Sequence, residues 1–101
     1  MGTLISPGGQ FETVTPANGK HFRLDEAQTL VGGAHGTCLV EAIYPPVRTR
    51  WDGQDIVMVL VDEEGLCYDP PLETNARAMM IDGGQRLIVG NALLIYAGEF
   101  E

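Results

Sequence analysis

Basic side chains are scarce in this sequence. Six Lys and Arg residues stand against fourteen Asp and Glu residues, so the formal net charge is −8. Affinity for a nucleic-acid backbone comes mainly from basic side chains that neutralise phosphates, so we expect no direct binding to nucleic acid. A surplus of acids instead keeps a protein soluble or complements a partner with a basic surface.

Long apolar runs are also missing. No stretch approaches the ~18 consecutive apolar residues that indicate a membrane span. The first ten residues hold no basic segment followed by an apolar one, which is the pattern of a secretory signal. These absences predict a cytoplasmic protein that does not contact a membrane.

Residues that carry catalysis or bind metals are few. Cys38 and Cys67 have apolar neighbours, which is typical of reduced core thiols, although one disulfide is the alternative. Ser6, the only serine, lacks the glycine-flanked turn of a hydrolase nucleophile. His35 and Cys38 form one loose pair, whereas structural zinc sites use two close pairs. With no phosphate-binding glycine motif either, we predict a protein that is not an enzyme and uses no metal or cofactor.

Turn-forming residues divide the chain into short elements of a single domain, 1–101. Alternating or continuous apolar patterns predict five strands, at 3–6, 11–15, 38–44, 56–61 and 86–97. The last is interrupted at Gly90, and 66–68 is predicted to return as a hairpin partner. Because 56–61 is apolar at every position, we expect a central strand covered on both faces.

Two short helices complete the pattern. Apolar spacing and a capping-box pattern predict a helix that is capped by Asp25 and ends at 32–33. A second helix is predicted at 76–80, with Thr74 or Asn75 as its N-cap. The order ββαββαβ predicts an α+β fold with a small mixed, mainly antiparallel sheet.

Two adjoining segments are candidates for binding. The predicted loop 45–54 holds Arg48, Arg50 and Trp51, and Trp and Arg are enriched at binding hot spots. From 51 to 76 there is no Lys or Arg but seven acids: Asp52, Asp55, Asp62, Glu63, Glu64, Asp69 and Glu73. We predict that these ten residues contact a protein partner. The alternative is that Trp51 covers the core, the arginines pair with acids, and the carboxylates face water.

Several stretches resemble, in their order, a small family known only as domain of unknown function 3846. They are LDEAQ at 24–28 with VGG at 31–33, DIVM at 55–58 with DEEG at 62–65, NARA at 75–78, and IVGNALL at 88–94. The resemblance implies a phage, plasmid or other mobile element, and it implies no activity, cofactor or catalytic residue. Small acidic proteins of such elements often bind a host factor, some by imitating nucleic acid.

The leading hypothesis is therefore a non-enzymatic acidic binding module that engages a host protein with a basic surface. One form of this hypothesis is an inhibitor that imitates nucleic acid. The second hypothesis is a small-ligand or nucleotide-binding domain with a pocket near 32–36 and Arg77. The third is a structural subunit that forms a homo-oligomer through exposed strand edges.

Overall fold

The computed structural model describes residues 2–45, 49–51, 53–68 and 70–96. It contains two α-helices and six strands, which confirms the predicted α+β class. The α-helices are α1 (Leu24–Gly32) and α2 (Ala76–Ile81). The strands are β1 (Gly2–Ile5), β2 (Phe11–Val14), β3 (Val40–Ile43), β4 (Thr49–Trp51), β5 (Gln54–Asp62) and β6 (Ala92–Tyr96). No helix among these residues is both long and apolar enough to cross a membrane.

All strand pairs of the sheet are antiparallel, in the order β2-β1-β6-β5-β3. β3 and β4 follow one another along the same edge of β5, since Ile43 lies opposite Val59 and Thr49 lies opposite Ile56. β4 was not predicted: 49–51 was expected to belong to a loop. β4 forms because only two residues join it to β5 and Gly53 adopts a positive φ of 79°, which closes a tight hairpin. Asp-Gly is a preferred pair for such a hairpin turn.

The sheet is covered on both faces around residues 59–61 of β5, as the apolar run in β5 predicted, whereas Val57 near the start of the run is exposed. Leu60, Leu93 and Ile95 pack with α1 residues such as Ala27 and Val31. Successive side chains of a strand point to opposite faces. The neighbouring residues of β5 and β6 therefore point to the other face; they include Val59, Val61, Ala92 and Leu94. On that face they pack with Ala78 of α2 and with the segment before β6. We call this second side the α2 face.

Helix capping was predicted correctly for α2 and wrongly for α1. The Asn75 side chain accepts a hydrogen bond from the Ala78 backbone N–H, so Asn75 is the N-cap of α2. α1 begins one residue before Asp25, with Arg23 in an extended conformation at the cap and no side-chain cap. Burial of Phe22 immediately before this point fixes where the chain enters the helix.

Two predicted strand segments are also corrected. The segment 66–68 does not pair with β5, because both edges of β5 are already occupied by β6 and β3; residues Gly65–Cys67 form a 3-10 turn instead. The strand predicted at 86–97 is regular only from Ala92. Gly90, at φ 76°, interrupts it, and Val89 makes an isolated bridge to Thr74.

Candidate functional site

A cleft of about 460 Å³ opens on the α2 face near the end of β6. Its lining comes from all the strands except β3, so the curvature of the sheet itself shapes it. We call it the aromatic cleft, lined by Thr3, Phe11, Thr13, Arg50, Trp51, Gln54 and Tyr96. Its volume lies within the range of sites that hold small ligands or peptide side chains.

Two aromatic rings that line this cleft contact one guanidinium, which belongs to Arg77 of α2. The ring centroids of Phe11 and Trp51 are 5.3 Å apart in an edge-to-face arrangement. The Arg77 guanidinium carbon lies 5.7 Å from the Phe11 centroid and 5.6 Å from the Trp51 centroid, within cation–π distance of both. We call these three side chains the ring–arginine cluster.

Curvature of the sheet makes this cluster possible. Phe11 lies on β2 and Trp51 on β4, and three strands separate them in the sheet. In a flat sheet four inter-strand spacings would place their backbones ~19 Å apart. The rings meet because the sheet curls toward the α2 face and both side chains are long. Phe11 nevertheless remains 57% exposed, so the cluster is open to solvent.

The inner wall of the cleft carries a buried pair of hydroxyls. The Thr3 and Tyr96 hydroxyl oxygens are 2.6 Å apart, and both residues are buried. Thr3 lies opposite Leu94, two positions from Tyr96 on the same face of the sheet. The cleft therefore combines an aromatic mouth with a polar, uncharged interior.

The structure brings three of the predicted site residues together here. Arg50 and Trp51 line the cleft, and Arg50 lies opposite Asp55 in the β4–β5 pair. The Arg50 Nε atom is 3.4 Å from the Asp55 carboxylate, and its terminal nitrogen donates to the Gly53 carbonyl at 2.6 Å. Trp51 is half-buried against the core of the α2 face. The alternative, in which Trp51 covers the core and the arginines pair with acids, therefore holds for Trp51 and Arg50, and contact with a protein partner stays a prediction.

The remaining predicted acids lie elsewhere. Asp55 and Asp62 lie at opposite ends of the nine-residue strand β5, roughly 23 Å apart at ~3.3 Å per residue. Asp62 is buried and accepts hydrogen bonds from the Glu64 backbone N–H and the Tyr68 hydroxyl, both at 2.9 Å. Glu63, Glu64 and Glu73 are exposed. Arg48, Asp52 and Asp69 lie outside the described residues.

Burial and the nearby Asp62 carboxylate disfavour the nucleophilic thiolate form of Cys38. Burial and then the nearby Asp62 carboxylate raise the pKa of the Cys38 thiol to about 11, so the thiol is protonated at neutral pH. The hydrogen bond to Asp62 raises the pKa of Tyr68 to about 12. Cys38 and Cys67 are both free. Within the described ranges no three His, Cys, Asp or Glu side chains are grouped as metal ligands.

A second cleft, of about 590 Å³, lies at the other end of β6. We call it the glycine cleft; its lining includes Gly32, Tyr68, Leu72, Gly90 and Asn91. The pocket predicted near 32–36 is therefore present, but Arg77 is not part of it. The Asn91 side chain donates to the Val31 carbonyl at 3.3 Å, which ties α1 to the segment before β6.

Sequence reasoning missed five of the seven residues that line the aromatic cleft. Phe11 reads as an ordinary strand residue, and Thr3 and Tyr96 are separated by 93 positions. Arg77 was associated with the other cleft. Only the strand order and the curl of the sheet bring these residues together, and neither is encoded by a local motif.

Comparison with known proteins returned no match: no family model, curated protein or solved structure is similar to this chain. The resemblance to domain of unknown function 3846 accordingly stays a prediction.

Proposed function

We propose that this chain is a non-enzymatic binding module that engages another protein through the aromatic cleft. The ring–arginine cluster is its anchor, and the exposed carboxylates complement basic groups of the partner. As the resemblance implies, the partner is a host protein and the module belongs to a mobile element.

One observation carries this proposal: the Arg77 guanidinium lies against two aromatic rings at the mouth of an open cleft. Arg and Trp are the residue types most enriched at the energetic centres of protein interfaces. Phe11 contributes a largely exposed ring to the same surface. An exposed, rigid arrangement of aromatic and guanidinium groups loses little side-chain freedom on binding.

The charged part of the proposed interface is smaller than the sequence suggested. Asp55 pairs with Arg50, and Asp62 is buried by its contacts with Tyr68 and Glu64. Of the described acids between 51 and 76, Glu63, Glu64 and Glu73 are the exposed ones. Contacts from such exposed charges mainly accelerate association, and salt weakens them.

A tagged pull-down from bacterial lysate at low and high salt, followed by mass spectrometry, tests the proposal. Each captured protein is then purified and titrated directly against the wild-type chain and its variants. We expect Trp51→Ala to weaken binding about thirtyfold or more, because truncation of an interface hot spot costs ~2 kcal/mol or more. Tyr44→Ala is the matched control, since Tyr44 is an exposed aromatic side chain outside the cleft.

The acidic contribution is tested separately with the double variant Glu63→Lys and Glu64→Lys. Asp62 is left unchanged, because a lysine at this buried position would disrupt the fold. We expect slower association and a weaker dependence on salt. If wild type and Trp51→Ala bind every captured protein equally, the proposed role of the ring–arginine cluster as the anchor is contradicted. If the salt dependence of the double variant is unchanged, Glu63 and Glu64 do not contribute to the interface.

The glycine cleft supports a second candidate function, the binding of a small molecule such as a nucleotide. Its volume and its largely apolar lining favour this role. A thermal-shift panel of nucleotides tests it, because a ligand at a hundred times its Kd adds ~2.7 kcal/mol of stability. Sedimentation of the isolated chain tests the third candidate, self-association through the edge strand β2.

A further inference from the structure

The walls of the glycine cleft are mainly apolar. Val31 and Leu72 line it together with three prolines, Pro7, Pro70 and Pro71. Lysine and arginine side chains pack their aliphatic stems on such surfaces while the charged group reaches a polar partner. A cleft of about 590 Å³ therefore offers apolar surface to the stem of a long side chain, and the charge of its lining decides which end group fits.

One residue of this lining carries a carboxylate. Glu73 is exposed and belongs to the cleft. Its backbone carbonyl accepts a hydrogen bond from the Gly90 N–H at 2.8 Å, and the next residue, Thr74, forms a bridge with Val89. These bonds hold the backbone of Glu73 against the segment before β6. The carboxylate is therefore attached to a fixed part of the cleft wall.

A second negative charge lies directly behind the lining. The hydroxyl of Tyr68, a lining residue, donates to the buried Asp62 carboxylate at 2.9 Å. The second described donor to this carboxylate, the Glu64 backbone N–H, is also uncharged. Neutral donors stabilise a carboxylate without cancelling its charge. Because the interior screens charge less than water does, Asp62 adds a negative potential to the cleft.

The basic residues of the chain do not compensate these charges. Five of the six Lys and Arg residues are described, and none of them lines the glycine cleft: Lys20, Arg23, Arg50, Arg77 and Arg86. Arg48, the sixth, is bonded to Thr49, which lies opposite Ile56. Ile56 is ~20 Å from Asp62 along β5, farther than a side chain extends. Charge complementarity therefore favours a cation in this cleft and disfavours an anion.

We infer that the glycine cleft binds a lysine or arginine side chain of a partner protein, with Glu73 as the residue that pairs with the cation. The aliphatic stem packs on Val31 and Leu72, and Asp62 adds attraction from behind Tyr68. This inference rests on the proposed function, in which exposed carboxylates complement basic groups of the partner, and it assigns one such group to a site. A nucleotide is the competing ligand, because its phosphates carry the opposite charge.

Blocked pentapeptides are the matched probes. Ala-Ala-Lys-Ala-Ala, acetylated at its N-terminus and amidated at its C-terminus, carries a single positive charge. The same peptide with acetyl-lysine in place of lysine keeps the stem and lacks the charge. The corresponding arginine peptide tests the other cationic side chain, and ATP tests the nucleotide.

Binding is measured by amide NMR of the whole chain at low salt and at pH 8, at which an imidazole is ordinarily uncharged. We expect at least one cationic peptide to bind about fivefold more tightly than the acetyl-lysine peptide, as for a partly exposed ion pair. The shifts are expected to be concentrated at Gly32, Leu72, Gly90 and Asn91. Salt at about 1 M should reduce the preference. ATP is expected to bind no more tightly than the acetyl-lysine peptide.

Glu73→Gln is expected to reduce the preference for the lysine peptide over its acetylated form, and Glu73→Lys to abolish it. Glu41→Gln and Glu41→Lys are the matched controls, because Glu41 is an exposed carboxylate outside both clefts. An unchanged preference in Glu73→Lys, equal affinities of the cationic and acetylated peptides, or no binding by any peptide would each overturn the inference. Shifts confined to residues outside the cleft, or tighter binding of ATP than of the cationic peptides, would also overturn it.

The inference and the proposed function fail in different ways. If Trp51→Ala loses the partner but the peptide preference does not depend on Glu73, the aromatic cleft is the anchor and the glycine cleft is not a cation site. If the cationic peptides bind through Glu73 but every captured protein tolerates Trp51→Ala, the cation site stands and the ring–arginine cluster is not the anchor.

Discussion

The two clefts lie at opposite ends of β6 and differ in how their polar groups are paired. Around the glycine cleft, the side chains of Asn75, Asp62 and Asn91 make hydrogen bonds within the chain. The aromatic cleft holds one such buried pair, the Thr3 and Tyr96 hydroxyls, beneath the solvent-open ring of Phe11. Buried groups that are paired stabilise a fold, because removal of one partner leaves the other unsatisfied. Substitutions at the two ends should therefore differ in their effect on stability.

The largest loss of stability is expected for Asn75→Ala. Asn75 is fully buried; its amide nitrogen donates to the Ile5 and Gly90 carbonyls, and its oxygen caps α2 at Ala78. The substitution leaves buried carbonyls without these donors and removes the cap. We expect a decrease of about 3 kcal/mol or more in the free energy of unfolding, measured by urea denaturation.

Asn18→Ala is the matched control for this variant. The Asn18 side chain accepts bonds from the Lys20 and His21 backbone N–H groups, but in an exposed turn where water replaces it. We expect a loss of less than about 1 kcal/mol. Equal losses in the two variants would contradict the view that the buried network at Asn75 holds this end of the molecule together.

A smaller loss is expected for Gly90→Ala, beside the glycine cleft. Gly90 has a φ of 76°, and an added Cβ would lie 2.7 Å from Leu72 Cδ1. Gly84 has a similar φ of 74° but no atom within 4 Å of an added Cβ. Positive φ alone costs ~1 kcal/mol in a non-glycine residue, so Gly84→Ala measures that strain and Gly90→Ala adds the steric contact. Measured by calorimetry, the free energy of unfolding of Gly90→Ala should be about 1 kcal/mol lower than that of Gly84→Ala. Equal values would show that the Leu72 side chain moves aside freely.

The network around Asp62 predicts a loss of stability at alkaline pH. In the folded chain the pKa of Cys38 rises from 9.0 to about 11 and that of Tyr68 from 10.0 to about 12. The unfolded chain therefore releases these protons first, and stability falls as the pH rises from 9 toward 12. Urea titrations across this range should show a shallower fall from pH 9 to 11 in Cys38→Ala, and no such change in Cys67→Ala. A pH-independent stability would contradict the raised values.

The sequence predicted the layers of this fold better than it predicted the candidate binding surface. The apolar run of β5 and the Asn75 cap depend on nearby residues, and both predictions were confirmed. β4 was missed because its pairing depends on a two-residue turn, and Asp62 was expected at the surface although the chain buries it beside Tyr68. The ring–arginine cluster needs strand order and sheet curl, which no short segment specifies. Burial patterns are therefore readable from local sequence, but a cleft assembled from five strands is not.

The smallest effects are expected in the aromatic cleft, where a double-mutant cycle on Thr3→Val and Tyr96→Phe sharpens the comparison. Each single substitution leaves one hydroxyl without its partner and should cost about 1 kcal/mol, whereas removal of both should cost no more than either alone. The coupling energy, measured by urea denaturation, then equals about one hydrogen bond. Additive losses would show that each hydroxyl has a separate partner in the folded chain.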